Sequence, residues 1–201
     1  MNQETKPDSI SIAASQMQAA LLPSDELLDE IHRRSGLYID AHFEASSELG
    51  GDFWGVRRSA GKRTEIFIAD FSGHGVGAAD NLIYAAAGQP PPLLGRPGSP
   101  GISFPETHGM PLGMKKGVRY ENHQEDFPPG SFLFLYSDAL IETPLGDGEC
   151  LDTDAIEALL RESLATADEA GPMAGLARHF HQMRGAPLGD DLTAVLARRD
   201  A

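Results

Sequence analysis

The hydrophobic periodicity changes at Leu37 from a helical spacing to alternation, and this change constrains the fold more than any other feature. Residues 37–46, LYIDAHFEAS, alternate apolar and polar side chains, as a half-buried strand does. The runs GDFWGVRRS (51–59) and TEIFIADF (64–71) follow, and the link SAGKR (59–63) has the composition of a hairpin turn. The sequence therefore predicts antiparallel sheet from Leu37 onward.

Later segments add shorter strands and then helices. Residues 153–165 and 173–184 carry apolar side chains at helical spacing, with Thr153 as a candidate cap. Strand clusters followed by helices are typical of an α+β fold, in which mainly antiparallel sheets pack against helices. The strands predicted in this part of the chain are 82–87, 92–95, 117–127, 131–140 and 190–199.

The residues before the first strand are predicted to form two lead-in helices. Residues 8–22 repeat apolar side chains at helical spacing, and residues 24–34 form a second, shorter helix. The first helix packs on its own domain, pairs with another copy to give a homodimer, or links the domain to a sensor. We therefore divide the chain into a lead-in segment, residues 1–35, and one domain, residues 36–201.

The composition excludes several classes of function. The chain of 201 residues has a formal charge of −14, so it repels nucleic acids and anionic membrane surfaces. Cys150 is the only cysteine, which excludes an intramolecular disulfide and a cysteine-rich zinc site. No apolar run reaches the roughly 18 residues of a membrane span. A cytoplasmic protein that neither binds nucleic acid nor inserts into a membrane is expected.

Aspartates stand at four places where a predicted strand meets a turn. Each one taken alone is most simply a turn or helix cap. Together at one end of a sheet, several carboxylates would repel one another unless hard cations neutralised them, and Mg²⁺ and Mn²⁺ favour such oxygen-rich sites. Two such ions bind a phosphate and lower the pKa of a water. The residues are Asp52, Asp70, Asp138 and Asp190, with Asp191 beside the last.

Six motifs occur in the order seen in PPM-type metal-dependent serine/threonine phosphatases, and the chain most resembles their SpoIIE/RsbU-like bacterial branch. The resemblance runs from about residue 13 to residue 199. It implies an α/β/β/α sandwich of two mainly antiparallel sheets flanked by helices, with a two-metal site at one end of the sheets. The motifs are SSELGGDFWG, IADFSGHGVGAA, YAAAGQPPPLL, HGMPLGM, LFLYSDALIE and GDDLTAVLARR.

The resemblance also implies roles for individual residues. Phosphoserine or phosphothreonine would be hydrolysed by direct attack of metal-bound hydroxide, with no phosphoenzyme. Two Mn²⁺ or Mg²⁺ ions are expected, and Asp70 is the expected bridging ligand. Asp191 matches a position that is usually Asn or Asp, and is the less certain member of its pair. The implied ligands are Asp52, Asp70, the backbone carbonyl of Phe71, Asp138 and Asp190 with Asp191.

The implied substrate is a phosphorylated STAS-type regulatory protein, an anti-sigma-factor antagonist in a bacterial stress-response pathway. His74 lies between two glycines beside the expected site, where it either assists the leaving group as an acid or orders the turn. The alternative function is a phosphatase-fold binding module that docks a partner with weak turnover or none.

The chain departs from the family pattern in several places. Ala139 stands where Gly often follows the third aspartate, Gly55 replaces an acidic residue, and Gln89 replaces a common His. The family also has a few tens of residues between the segments that meet here at Asn81 and Leu82. We therefore expect a helix-loop segment to be missing after Asn81, with residues 76–81 forming the start of the shortened helix.

Overall fold

The computed structural model describes residues 20–46, 52–58, 63–70, 76–78, 81–99, 101–103, 105 and 109–201. The predicted helix at 8–22 therefore lies almost entirely outside the described residues. In chain order, the elements are α1 (Asp25–Ser35), β1 (Leu37–Glu44), β2 (Asp52–Arg58), β3 (Thr64–Asp70), β4 (Val76–Ala78), β5 (Asn81–Tyr84), β6 (Leu93–Gly95), β7 (Ile102–Ser103), β8 (His123–Asp126), β9 (Phe132–Tyr136), α2 (Ala139–Glu142), α3 (Thr153–Ala165), α4 (Pro172–Met183) and β10 (Leu192–Arg199).

The strands form two five-stranded sheets. The first sheet has the order β1-β10-β9-β6-β7 and the second the order β2-β3-β4-β5-β8. Every described pairing is antiparallel. The chain passes from one sheet to the other after β1, β5, β7 and β8. Each sheet therefore contains strands from distant parts of the sequence. The predicted α+β sandwich of mainly antiparallel sheets with flanking helices is confirmed.

Strand β10 belongs to two hydrophobic cores because its side chains alternate between the faces of the first sheet. Val195 and Ala197 face the second sheet and pack in the core between the sheets. Ala194 and Leu196 face the other way and pack against α3 and α4. Both faces of the strand are thus buried, which explains its nearly continuous run of apolar residues.

Helix α1 closes the side of the sandwich where β1 and β2 are the edge strands. It begins at the cap Ser24, whose hydroxyl accepts a hydrogen bond from Leu27 N, and it ends at Gly36 with φ of 66°. Ile31 is buried in the core between the sheets. Glu30 pairs with Arg58 of β2 at 2.7 Å. The second lead-in helix is therefore part of the packed domain.

The outer face of the second sheet carries apolar side chains. Phe53 and Phe67 lie on this face with their ring centroids 5.6 Å apart, and Ile83 is 45% exposed. Their neighbours in sequence point the other way, into the core between the sheets. Among the described residues, α2, α3 and α4 lie on the first sheet, and no helix covers this face.

The expected helix at 76–81 is wrong where the structure describes it. Val76–Ala78 forms strand β4, which pairs with β3 on one side and β5 on the other. Few residues separate β3 from β5. A strand between them forms hydrogen bonds with the backbone of both neighbours. A short helix in its place would leave the backbone N–H and C=O groups at the facing edges of β3 and β5 without partners.

Candidate active site

The predicted aspartates meet at one end of the two sheets. Asp52 begins β2 and Asp70 ends β3, and the two residues are direct partners in the antiparallel register. Asp138 lies two residues after the end of β9, and Asp190 and Asp191 directly precede its antiparallel neighbour β10. The topology thus gathers residues that are more than a hundred positions apart in the sequence. We call this end of the molecule the aspartate end.

Asp191 connects three strands by hydrogen bonds at this end. Its side chain is only 2% exposed, and both carboxylate oxygens accept hydrogen bonds from the protein. Oδ1 accepts from the backbone N of Ser46 at 2.6 Å and from its hydroxyl at 2.9 Å. Oδ2 accepts from the backbone N of Asp52 at 3.0 Å. These bonds join the chain after β1, the start of β2 and the start of β10.

The carboxylate of Asp52 is oriented by a buried hydroxyl. Asp52 is 4% exposed, and its Oδ2 accepts a hydrogen bond from Thr193 Oγ1 at 2.5 Å. A charge-assisted bond of this kind is stronger than a bond between neutral groups. Thr193 lies on β10, in the first sheet, so the bond also connects the two sheets at the aspartate end.

Ser137 fixes the backbone next to Asp138. Its hydroxyl donates to the carbonyl of Asp191 at 2.8 Å and accepts from the backbone N of Thr193 at 2.9 Å. Both hydrogen bonds of this hydroxyl are to backbone groups of the residues at the start of β10, so its role is structural. Ser46, Ser137 and Thr193 were missed by sequence reasoning. Their one visible signal is that each lies within two residues of a predicted strand end or site aspartate.

Asp138 and Asp190 differ from Asp191 in their surroundings. Asp138 directly precedes α2 but makes no side-chain hydrogen bond to cap it. Asp190 is exposed, and its Oδ1 accepts from the backbone N of Asp191 at 2.8 Å. The helix-cap interpretation therefore fails for Asp138, while a local turn contact does exist at Asp190.

Several expected site atoms lie outside what the structure describes, namely the side chain of Asp70 and the whole of Phe71 and His74. Among the side chains that are described, no group of three or more His, Cys, Asp or Glu residues is arranged to hold a metal ion. The donor set at the aspartate end consists of carboxylate oxygens, which fits a hard divalent cation such as Mg²⁺ or Mn²⁺ rather than a thiolate-binding metal.

The structure explains two departures from the family pattern. Ala139 is 2% exposed and packs in the core between the first sheet and the helices, so its methyl group does not narrow the aspartate end. At Gly55, a Cβ atom would lie 2.3 Å from the Phe67 ring, so this ring occupies the space that a side chain at position 55 would need. Gln89 keeps a buried Oε1 with no partner in the described part of the chain.

Helix α4 is attached to β1 at both of its ends. Asp40 Oδ2 accepts from the backbone N of Met173 at 2.8 Å, in the first turn of the helix, and burial raises the pKa of Asp40 despite this bond. Glu44 Oε2 lies 2.7 Å from His181 Nε2 in the last turn. Burial acts to raise the pKa of Glu44, but interactions with His181 and His42 outweigh it and lower the pKa. This attachment fixes β1 directly before Ser46.

Comparison with known proteins adds a family and a fold. The family model described as Stage II sporulation protein E (SpoIIE) matches residues 79–200. No curated protein matches the chain at a significant level. In the described residues no helix is long and apolar enough to cross a bilayer.

Several solved structures are similar to this chain over most of its length. The SiaA-PP2C domain of Pseudomonas aeruginosa has a TM-score of 0.72 at 16% identity, covering 96% of this chain and 95% of that one. The RsbU and RsbW domains of Rv1364c from Mycobacterium tuberculosis have a TM-score of 0.60 at 19% identity, covering 82% and 62%. The SpoIIE phosphatase domain of Bacillus subtilis has a TM-score of 0.58 at 14% identity, covering 82% and 92%. At these identities, the likeness shows the fold alone.

Proposed function

Because the chain belongs to the SpoIIE family of PP2C-type (PPM) phosphatase domains, we propose that it is a metal-dependent protein serine/threonine phosphatase. The observation that carries the proposal is the direct pairing of Asp52 with Asp70 at the end where Asp138 and Asp190 also lie. Carboxylates brought together from both sheets would hold divalent cations for phosphate hydrolysis.

Asp52, Asp70, Asp138, Asp190 and the carbonyl of Phe71 would hold two Mn²⁺ or Mg²⁺ ions. When bound, such ions supply a water of lowered pKa and neutralise the charge of the phosphate. Thr193 orients the Asp52 carboxylate. Both oxygens of Asp191 accept protein hydrogen bonds, which favours a supporting role for it and a ligand role for Asp190.

The proposed substrate is a phosphoserine or phosphothreonine on a bacterial regulatory protein of the STAS type, an anti-sigma-factor antagonist in the cytoplasm. The likeness to a structure that contains RsbU and RsbW domains supports this substrate class. Residues 1–35 would act as a switch, a dimerisation segment or a link to a sensor. His74 stays a prediction: beside the site, it would contact the substrate as an acid for the leaving group.

Phosphate release from a phosphoserine protein, measured with and without Mn²⁺, tests the proposal. Asp70→Asn and Asp190→Asn should each lower kcat by about a hundredfold or more, because each removes a charged ligand from a step that depends on electrostatic stabilisation. Asp154→Asn, at an exposed position in the first turn of α3, is the matched control and should keep full activity. Equal activity of the Asp70 and Asp154 variants would contradict the proposal.

A binding module without turnover is the second candidate function. It is favoured by the shortened segment before Leu82, where Val76–Ala78 forms strand β4 in place of the expected helix. Titration calorimetry with Mn²⁺ separates the two candidates when it is combined with the phosphate assay. A folded protein that binds a phosphoprotein but releases no phosphate at saturating Mn²⁺ would support the module.

A further inference from the structure

We propose that residues 110–120, called here the basic loop, dock an acidic surface of the phosphoprotein substrate beside the aspartate end. This proposal rests on the proposed function, since it names the partner chemistry of the same site. It is based on the position of the loop, on cations that have no partner among the described residues, and on exposed methionines.

The topology places the basic loop at the aspartate end. Residues 85–92 connect β5 to β6, and the loop lies in the return connection from β7 to β8. Strand β5 ends at Tyr84 and β8 begins at its register partner His123, on the same end of the second sheet as Asp70. The loop therefore lies on the rim of this end, beside the half that holds the aspartates.

The base of the loop is packed while its tip is open. A Cβ atom on Gly109 would lie 1.8 Å from the carbonyl oxygen of Ala86, and one on Gly88 would lie 2.6 Å from Pro111, so the two connections touch. The hydroxyl of Tyr120 donates to the carbonyl of Met110 at 2.9 Å and closes the loop. A Cβ atom added at Gly113 or at Gly117 would have no neighbouring atom within 4 Å, so the tip of the loop is open.

The cations of the loop differ from the others that the structure describes. Arginines elsewhere pair with carboxylates, as Arg57, Arg96 and Arg178 do, donate to backbone carbonyls, or stack on a ring. Lys115, Lys116 and Arg119 are exposed and contact no carboxylate, carbonyl or ring among the described residues. Three charges without a partner thus fall within five positions on one rim.

The charge of the whole chain decides what these cations attract. The sequence has 30 Asp and Glu residues against 16 Lys and Arg residues, so most of the surface repels an anionic partner. A long polyanion such as a nucleic acid would contact this surface as well as the loop. A compact acidic patch on a protein would contact only the loop and not the rest of the acidic surface. The electrostatic field of the loop cations would guide this patch toward the aspartate end.

Exposed methionines give the loop an apolar contact as well. Met114 is 73% exposed and Met110 is 42% exposed, and they are two of the four large hydrophobic residues that stand out as exposed in the described chain. Methionine adapts its shape to varied partners, as at other protein-binding surfaces. Cations around exposed methionines match a protein surface better than a small phosphate ester.

A binding experiment tests the proposal without relying on turnover. Two labelled phosphoserine peptides, one with acidic and one with neutral flanking residues, are titrated with the protein at low salt, and fluorescence anisotropy is measured. The triple variant Lys115→Gln/Lys116→Gln/Arg119→Gln should weaken binding of the acidic peptide by about tenfold. The control triple Arg33→Gln/Arg161→Gln/Arg178→Gln removes the same charge from surfaces outside the loop and should change little.

The loop variant should bind the neutral peptide as the parent protein does, and Met114→Ser should weaken binding to both peptides. Equal affinity of the parent and the loop variant for the acidic peptide would overturn the proposal. Tighter loop-dependent binding of a single-stranded oligonucleotide or of phosphatidylserine vesicles than of the acidic peptide would also overturn it.

Measurements of hydrolysis distinguish failure of the docking proposal from failure of the proposed phosphatase function. With Mn²⁺, the loop variant should hydrolyse p-nitrophenyl phosphate at the parent rate but lose about tenfold in kcat/KM on the acidic phosphopeptide. No hydrolysis of either substrate by the parent protein would contradict the proposed function, whereas the anisotropy result would still decide the docking surface.

Discussion

At the scale of single residues, Asp191 shows how a carboxylate beside the proposed metal ligands can have a structural role. It accepts hydrogen bonds from Ser46 and Asp52 and is almost fully buried. Buried N–H groups that lose their acceptor cost more than the net free energy of one hydrogen bond. The start of β2, and with it the position of Asp52, therefore depends on Asp191.

We expect Asp191→Ala to lower the free energy of unfolding by about 3 kcal/mol, because two backbone N–H groups would lose their acceptor. Urea unfolding followed by circular dichroism measures this change. Asp154→Ala serves as the control, since Asp154 is exposed on α3. An unchanged unfolding midpoint for the Asp191 variant would show that solvent replaces these bonds freely.

From the sequence, the aspartates were expected to lie together at one end of a sheet, but the residues that hold them in place were not identified. Asp52, Asp138 and Asp190 stand out because a carboxylate at a strand end is chemically conspicuous. Ser46 and Thr193 do not stand out, because their roles depend on contacts across 145 and 141 positions in the chain. Hydrogen bonds of this span follow from the tertiary fold and have no periodicity to reveal them.

At the scale of elements, α4 depends on β1 for its N-terminal cap. Its own cap residue, Gly171, offers no side chain, and a Cβ there would lie 2.7 Å from Asp40 Oδ1. A carboxylate at this position satisfies a free N–H and interacts favourably with the helix dipole. Sequence periodicity predicted the helix but could not identify a cap supplied by a distant strand.

The other end of this attachment gives a pH dependence. The pKa of Glu44 in the folded protein lies below its ordinary value of 4.5, so its stabilising effect is complete above that value. It is lost as the pH falls through the lower folded value. Glu44→Gln should therefore lose less stability than the parent protein on acidification below about 4.5.

Urea unfolding over the acidic range measures this difference, which we expect to be about 0.5 kcal/mol since Glu44 is partly exposed. Glu157→Gln, in the i,i+4 pair with Arg161, is the control for loss of a surface ion pair. Parallel pH profiles for the parent protein and the Glu44 variant would contradict the assigned role.

At the scale of the whole molecule, no helix of the described residues covers the outer face of the second sheet, and the expected missing segment would leave the chain beside this face. Phe53, Phe67 and Ile83 lie on this face, next to the junction of Asn81 with Leu82. A helix over this face would remove apolar surface from water. The junction stays a prediction from the order of motifs, whereas the strand β4 at its side could not be predicted from three residues.

We propose that the native reading frame carries a few tens of residues between Asn81 and Leu82. Restoring them should raise the urea midpoint and lower the fluorescence of a bound hydrophobic dye, because the apolar face would be covered. A native gene that runs without interruption through this junction would contradict the proposal.

The register of β1 with β10 places α1 and the aspartates at opposite ends of β1. Helix α1 and the chain terminus meet β1 at Leu37, opposite Arg199, whereas the aspartates lie beyond Glu44, opposite Leu192. The eight residues of β1, at about 3.3 Å each, place the end of α1 roughly 26 Å from the aspartate end. We propose that a domain fused before α1 would have to act on the aspartate end through the length of this strand, since sliding β1 by a single residue would move Ser46 away from Asp191.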